Sequence, residues 1–162
     1  GQCLLLWEQN LADELTADWF GYHALQMGMP PLQALRQNRM PHRWLALPMT
    51  ESGQNDLRID PCALPFADDS LDLVVLPHSL ELSPDPHATL REVARVLVPE
   101  GRVLILGLNP NSLWGLRQVG GRLTGAHFLP LHLAQKHPDR HATRGCLCCG
   151  TRDGQWVSNR PP

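Results

Sequence analysis

At 162 residues the chain has room for one domain, and a hydrophobic share of 43% suits a globular protein with its own core. No apolar run reaches membrane-spanning length and no basic segment precedes residues 4–6, so neither insertion in a membrane nor a signal peptide is expected, and the expected location is cytoplasmic. The formal net charge of −2 hides an asymmetry, with 7 basic and 14 acidic residues through Pro110 but 7 and 2 from Asn111 onward; the later basic residues are dispersed without aromatic spacing, which reads as a solvated tail and not as a nucleic-acid surface.

The first predicted element is an amphipathic helix over residues 2–18. Leu4, Trp7, Leu11 and Leu15 recur at helical spacing, with Glu8, Asp13 and Glu14 off that stripe. Gly21 stops it, and residues 22–27 form a short run suited to a strand. Gly28 turns the chain, Pro30 and Pro31 suit a helix start, and residues 32–39 read as a short helix that Pro41 ends. Residues 42–47 are the second strand and 48–54 a loop. Residues 57–59 form a possible third strand ending in Asp60. Only nine residues, 48–56, separate it from the second, fewer than a parallel crossover usually takes.

Residues 71–76 are almost continuously apolar, as a strand buried on both faces requires. Asp85 is placed as an N-cap with Pro86 in the first helical position. Leu90, Val93, Ala94 and Leu97 then form one apolar stripe, until Pro99 and Gly101 end the helix and residues 103–108 form another buried strand. Strand, helix, strand over residues 71–108 is a parallel unit with a right-handed crossover. An open sheet of this kind binds ligands beyond the carboxyl ends of its strands, which puts Gly28, Asp60, Pro77 and His78 along one rim.

Periodicity stops near Leu133 and no strand of convincing length follows His137. Five cysteines, three of them at Cys146, Cys148 and Cys149, suggest free thiols and not a disulfide framework. With His127, His132, His137 and His141 nearby they offer soft zinc ligands, yet C-x-C-C spacing without a second pair is poor for a structural site, and no metal is expected.

Two motif blocks carry a family resemblance. The first is Asp60-Pro61-Cys62-Ala63-Leu64-Pro65-Phe66 with Asp69-Ser70-Leu71-Asp72-Leu73-Val74. The second is Leu90-Arg91-Glu92-Val93-Ala94-Arg95-Val96-Leu97-Val98-Pro99-Glu100-Gly101-Arg102. In order and spacing they resemble class I S-adenosylmethionine-dependent methyltransferases of the ubiquinone, menaquinone and biotin-pathway branch. Residues 20–28 and 41–45 are similar to an uncharacterised proteobacterial subgroup of it. The resemblance implies a Rossmann-like, mostly parallel α/β sheet with flanking helices, and Asn111 to Arg117 resemble the beginning of the helix that follows the fifth strand. Residues 1–133 would be a methyltransferase-like domain whose last strands are missing, and 134–162 a disordered or out-of-frame tail.

It further implies S-adenosylmethionine as cofactor and a small or lipid-like methyl acceptor, not identified by the sequence, as partner. Oligomeric state is likewise unspecified. Asp60 matches the acid that accepts from the adenine amino group, or is simply a turn residue. Pro61 has no N–H for the adenine ring, so Cys62 would supply it. Gly28 matches the first glycine after strand one, or is a lone turn glycine, since Met29 and Pro30 replace the others. Leu76, Pro77 and His78 match the segment that faces donor and acceptor. His78 is either a general base or a histidine at a helix start. Glu81 stands where many relatives carry histidine, and Glu51 is the nearest candidate for gripping the ribose. The rival reading is a non-catalytic remnant of the fold. A nicotinamide-binding domain would need a G-x-G-x-x-G turn that the segment at Gly28 lacks.

Overall fold

The two longest apolar runs lie side by side at the centre of one sheet. In the computed structural model, which describes residues 2–49, 53–107, 146–151 and 156–158, β4 (Leu71–Pro77) pairs in parallel with β5 (Leu97–Gly107). The crossover between them carries α2 (Ser79–Leu82) and α3 (Pro86–Val96). A strand covered on both faces must be apolar throughout, and Leu71, Leu73, Val74, Val75 and Leu76 are all essentially inaccessible. The start of α3 follows the sequence expectation: Asp85 Oδ1 accepts from the Ala88 N–H at 2.9 Å and Pro86 opens the helix. Its end comes earlier than Pro99 and Gly101 suggest. The Leu97 N–H caps the helix on the Val93 carbonyl, and Leu97 already pairs with Leu71 across the sheet.

β1 (His23–Met27), β2 (His42–Pro48) and β3 (Leu57–Ile59) complete the parallel part, in spatial order β3-β2-β1-β4-β5. Strand order reverses between β1 and β4, the switch point at which open α/β sheets hold ligands. The third strand exists despite its short connection. Asp56 fastens the return to β2 by donating its N–H to the Leu45 carbonyl at 2.9 Å and accepting the Leu45 N–H on Oδ2 at 2.8 Å.

Beyond β5 the backbone adds two antiparallel strands, β6 (Cys146–Thr151) on β5 and β7 (Trp156–Ser158) on β6. The sequence offers no strand of convincing length there. Edge pairing satisfies backbone N–H and C=O groups whatever the side-chain pattern, so periodicity is a poor guide to it.

Residues 32–39 are not the helix expected of them: they run as turns and bends. Side chains take over the hydrogen bonds a helix would make. Gln26 Nε2 donates to the carbonyls of Gly28 and Leu32, and Gln26 Oε1 accepts from the Ala34 N–H at 2.9 Å. Asn38 Nδ2 donates to the Thr16 carbonyl at 2.7 Å, and Asn38 Oδ1 accepts the Met40 N–H.

The same segment rotates the working face of α1 (Gln2–Ala17). Leu5, Leu11 and Leu15 pack on the core, but among the described side chains of α1 the buried ones are Glu8, Gln9, Ala12 and Thr16, and Trp7 is 36% exposed. Gln9 exchanges two 2.9 Å hydrogen bonds with the Gln33 backbone, and Thr16 Oγ1 donates to the Ala34 carbonyl at 3.1 Å. A polar helix face is buried because its neighbour is irregular backbone that needs partners.

The sheet separates two cores. Leu25, Met27, Val74, Leu76, Val93 and Ile105 form the α3 side, and Ala24, Leu32, Leu73, Val75 and Leu104 the α1 side. Among the described residues no helix is long and apolar enough to cross a membrane.

Candidate functional site at the carboxyl ends of the strands

Local backbone chemistry shapes the rim at the switch point. Gly28 leaves β1 with φ +83°, a conformation glycine takes without steric cost, and donates its N–H to the Ala46 carbonyl of β2 at 2.8 Å. Its side without a side chain faces the start of α2: a Cβ there would stand 3.0 Å from Ser79 Oγ. Ser79 Oγ in turn donates to the Met27 and Pro77 carbonyls, tying the ends of β1 and β4 together.

His78 follows Pro77 in the left-handed region, φ 54°, and donates its N–H to the Leu106 carbonyl of β5 at 2.7 Å. Both ring nitrogens meet carboxylates. Nε2 lies 3.0 Å from Glu8 Oε1 of α1, and Nδ1 lies 3.4 Å from Glu81 Oε2 of α2. Burial opposes the charged ring, but hydrogen bonds to Glu8 and Glu81 and their negative charge outweigh it, and the His78 pKa rises to about 9. The imidazole is therefore an imidazolium at neutral pH. Glu8 is only 4% exposed, and its Oε2 is buried without a hydrogen-bond partner.

Asp60 ends β3 on the same edge of the sheet, with β2 and β1 between it and β4. Its Oδ1 accepts the Cys62 N–H at 2.9 Å, and its carbonyl accepts the Ala63 N–H at 3.0 Å, closing a tight turn over Pro61. Cys62 Sγ lies 3.7 Å from the Asp85 carbonyl and 3.8 Å from Thr89 Oγ1, so this turn reaches the start of α3. Leu76 is fully buried in the α3-side core and contributes backbone only.

The geometry thus brings Gly28 together with the Pro77–Ser79 turn, keeps Asp60 and Cys62 as a separate turn along the edge, and buries Leu76. Glu51, the helix expected from Asn111 and the histidines of the tail lie outside the described residues, as do the side chains of Cys146, Cys148 and Cys149. No metal-binding cluster occurs among the described residues. Sequence reasoning missed Glu8, which it placed on the solvated side of its helix. A carboxylate one position off an apolar stripe gives no local sign of burial; only its partner 70 residues away does.

Five parallel strands in the order β3-β2-β1-β4-β5, with helices on both faces and a glycine turn at the switch point, form the Rossmann-like fold of class I methyltransferases. A family model described as a methyltransferase domain matches residues 41–105, from the start of β2 into β5. The chain is 48% identical over 63 residues to an uncharacterised protein, YafS, of Escherichia coli, covering 39% of this chain and 26% of that one. It is 36% identical over 114 residues to a malonyl-[acyl-carrier protein] O-methyltransferase of Halorhodospira halophila, covering 68% of this chain and 36% of the relative. The chain therefore spans about a quarter to a third of the length of these relatives. In three dimensions it is similar to a S-adenosylmethionine-dependent methyltransferase, a possible histamine N-methyltransferase, of Thermotoga maritima. That likeness has a TM-score of 0.59 at 14% identity, over 77% of this chain and 70% of that one. The cofactor these matches imply is S-adenosylmethionine.

Proposed function

We propose that this chain belongs to a methyltransferase that transfers a methyl group from S-adenosylmethionine to a small or lipid-like acceptor. The observation that carries the reading is the glycine turn at Gly28, set against the Pro77–Ser79 turn at the point where strand order reverses. The cofactor, when bound, supplies an activated methyl group on a sulfonium leaving group, so the protein's task is mainly alignment and exclusion of water.

In this reading Gly28 shapes the turn at the cofactor edge, because its φ of +83° and the Ser79 hydroxyl beside it leave no place for a side chain. Asp60 is the acceptor for the adenine amino group. The Cys62 N–H already donates to Asp60, so that turn serves by shape and by the carboxylate, and not by the adenine-ring bond the resemblance implies for Cys62. His78 borders the acceptor side. With both ring nitrogens on carboxylates and a proton in place, it orders the rim; acting as general base would require release from Glu8.

A second reading, a methyltransferase-fold protein that does not catalyse, is favoured by that same occupied histidine. Calorimetry with S-adenosylhomocysteine separates the two. Saturable binding, weakened on Gly28→Val, supports the first. Absence of heat at ~1 mM ligand, where a 1 mM Kd would give half-saturation, rejects it. Transfer of labelled methyl from S-adenosylmethionine into small-molecule extracts then tests for turnover.

A further inference from the structure

Gln26 is a buried amide, 3% exposed, in an otherwise apolar stretch of β1, where a buried parallel strand calls for an apolar side chain. Burying an amide is costly unless its donors and its acceptor are met, and Gln26 meets them on the chain that leaves β1. Nε2 donates to the Gly28 carbonyl at 3.2 Å and to the Leu32 carbonyl, with the Met29 oxygen at 3.4 Å, and Oε1 accepts the Ala34 N–H at 2.9 Å. Two residues of this stretch are left-handed in succession, Gly28 at φ +83° and Met29 at φ +49°. Glycine takes that conformation freely; methionine keeps it only where its surroundings fix it. The far end of the stretch is held from α1, by Gln9 on the Gln33 backbone and by Thr16 on the Ala34 carbonyl.

We infer that Gln26 is a positioning residue of the cofactor edge: its buried amide fixes the course of the chain from Gly28 to Ala34, so that the turn is set before a ligand arrives. The inference rests on the methyltransferase reading above, which puts the Gly28 turn at that edge. Without the amide, the Gly28 and Leu32 carbonyls would have to find other partners, and the left-handed pair would lose the hydrogen bonds that hold it. Only a fraction of molecules would then carry the turn in its binding form, and apparent affinity falls by that fraction. Gln26 works through the turn alone, since its donors and its acceptor already face the chain.

The test is the dissociation constant of S-adenosylhomocysteine, measured by calorimetry on the full chain at a temperature where every variant is folded and divided by the wild-type value at the same pH. Gln26→Leu, which removes donors and acceptor together, is expected to weaken binding about tenfold at every pH. Gln26→Glu keeps the size of the side chain. Ionised, it loses both donors and sets a charge against carbonyl oxygens; protonated, it regains one donor. Burial and those oxygens favour the protonated form, so its binding is expected to be about tenfold weak near pH 8 and to recover toward wild type near pH 5. Leu104→Ala, which lowers stability from within β5, is expected to leave the constant unchanged.

Wild-type affinity in both Gln26 variants, or an equal loss in Leu104→Ala, overturns this assignment and spares the methyltransferase reading. Failure of the wild type to bind the ligand overturns both. Should neither Gln26 variant fold, hydrogen exchange of the Gln26 side-chain amide and of the Ala34 N–H in the wild type decides: exchange slowed by saturating S-adenosylhomocysteine supports the assignment, and exchange that saturating ligand leaves unaltered overturns it.

Discussion

His78 shows how far one side chain's chemistry depends on neighbours distant in sequence. Its folded-state pKa, about 9, stands above the ordinary 6.5, so the charged pair with Glu8 and Glu81 stabilises the fold fully below pH 6.5. That contribution is lost as pH rises through about 9. The gap in unfolding free energy between wild type and His78→Gln is expected to shrink by on the order of 1–2 kcal/mol between pH 6 and pH 10, discounted for solvent screening; denaturation at the two ends measures it. A gap that widens with pH would mean the ring is neutral in the native state. Gly21 gives a second residue-level case. Asp72 Oδ2 accepts the N–H groups of Tyr22 and His23 at 2.9 and 3.0 Å, locking β4 to the entry of β1. A Cβ on Gly21 would stand 2.5 Å from Asp72 Cβ, so Gly21→Ala is expected to cost about 1–3 kcal/mol in urea unfolding.

At the scale of elements, α3 is the best-specified helix, and its start and its anchor can be tested separately. Asp85→Ala removes the N-cap bond to Ala88 and is expected to cost about 1 kcal/mol, read as a lower urea midpoint with an unchanged slope. Arg95 anchors the other side. It pairs with Glu92 and Asp68 and donates to the Leu64 and Phe66 carbonyls, so it pins the connector before β4 onto α3. Arg95→Ala is therefore expected to lower the melting temperature and to speed proteolysis within residues 60–70. α1 differs from α3 in kind: its buried Glu8, Gln9 and Thr16 are held by hydrogen bonds to irregular backbone and to His78, not by an apolar stripe.

For the whole molecule, the sheet is the unit of stability. Leu104 is fully buried in β5 between β4 and β6, and Leu104→Ala is expected to cost about 2–5 kcal/mol, a large part of the stability a domain of this size commands. Ending the chain at Gly107 would strip β6 from β5 and leave the apolar run of residues 103–106 at an edge. Self-association on gel filtration is the expected result.

Local pattern alone determined the β4–α3–β5 unit, because a buried parallel strand must be apolar at every position and a helix start must satisfy its own N–H groups; Leu71, Val74 and Asp85 declare both in sequence. The Gly28 turn and the common edge shared with Asp60 followed from the same order of elements. Tertiary structure decided the rest. Whether residues 32–39 coil into a helix depended on Gln26 and Asn38, which offered their backbone better-placed partners than a helix would. Whether Glu8 faced water or His78 depended on how α1 rolled against that segment, and β6 found its place through backbone pairing that side-chain periodicity does not encode. Apolar burial leaves its mark residue by residue along the chain, whereas a hydrogen bond between positions 8 and 78 exists only once the fold has brought them together.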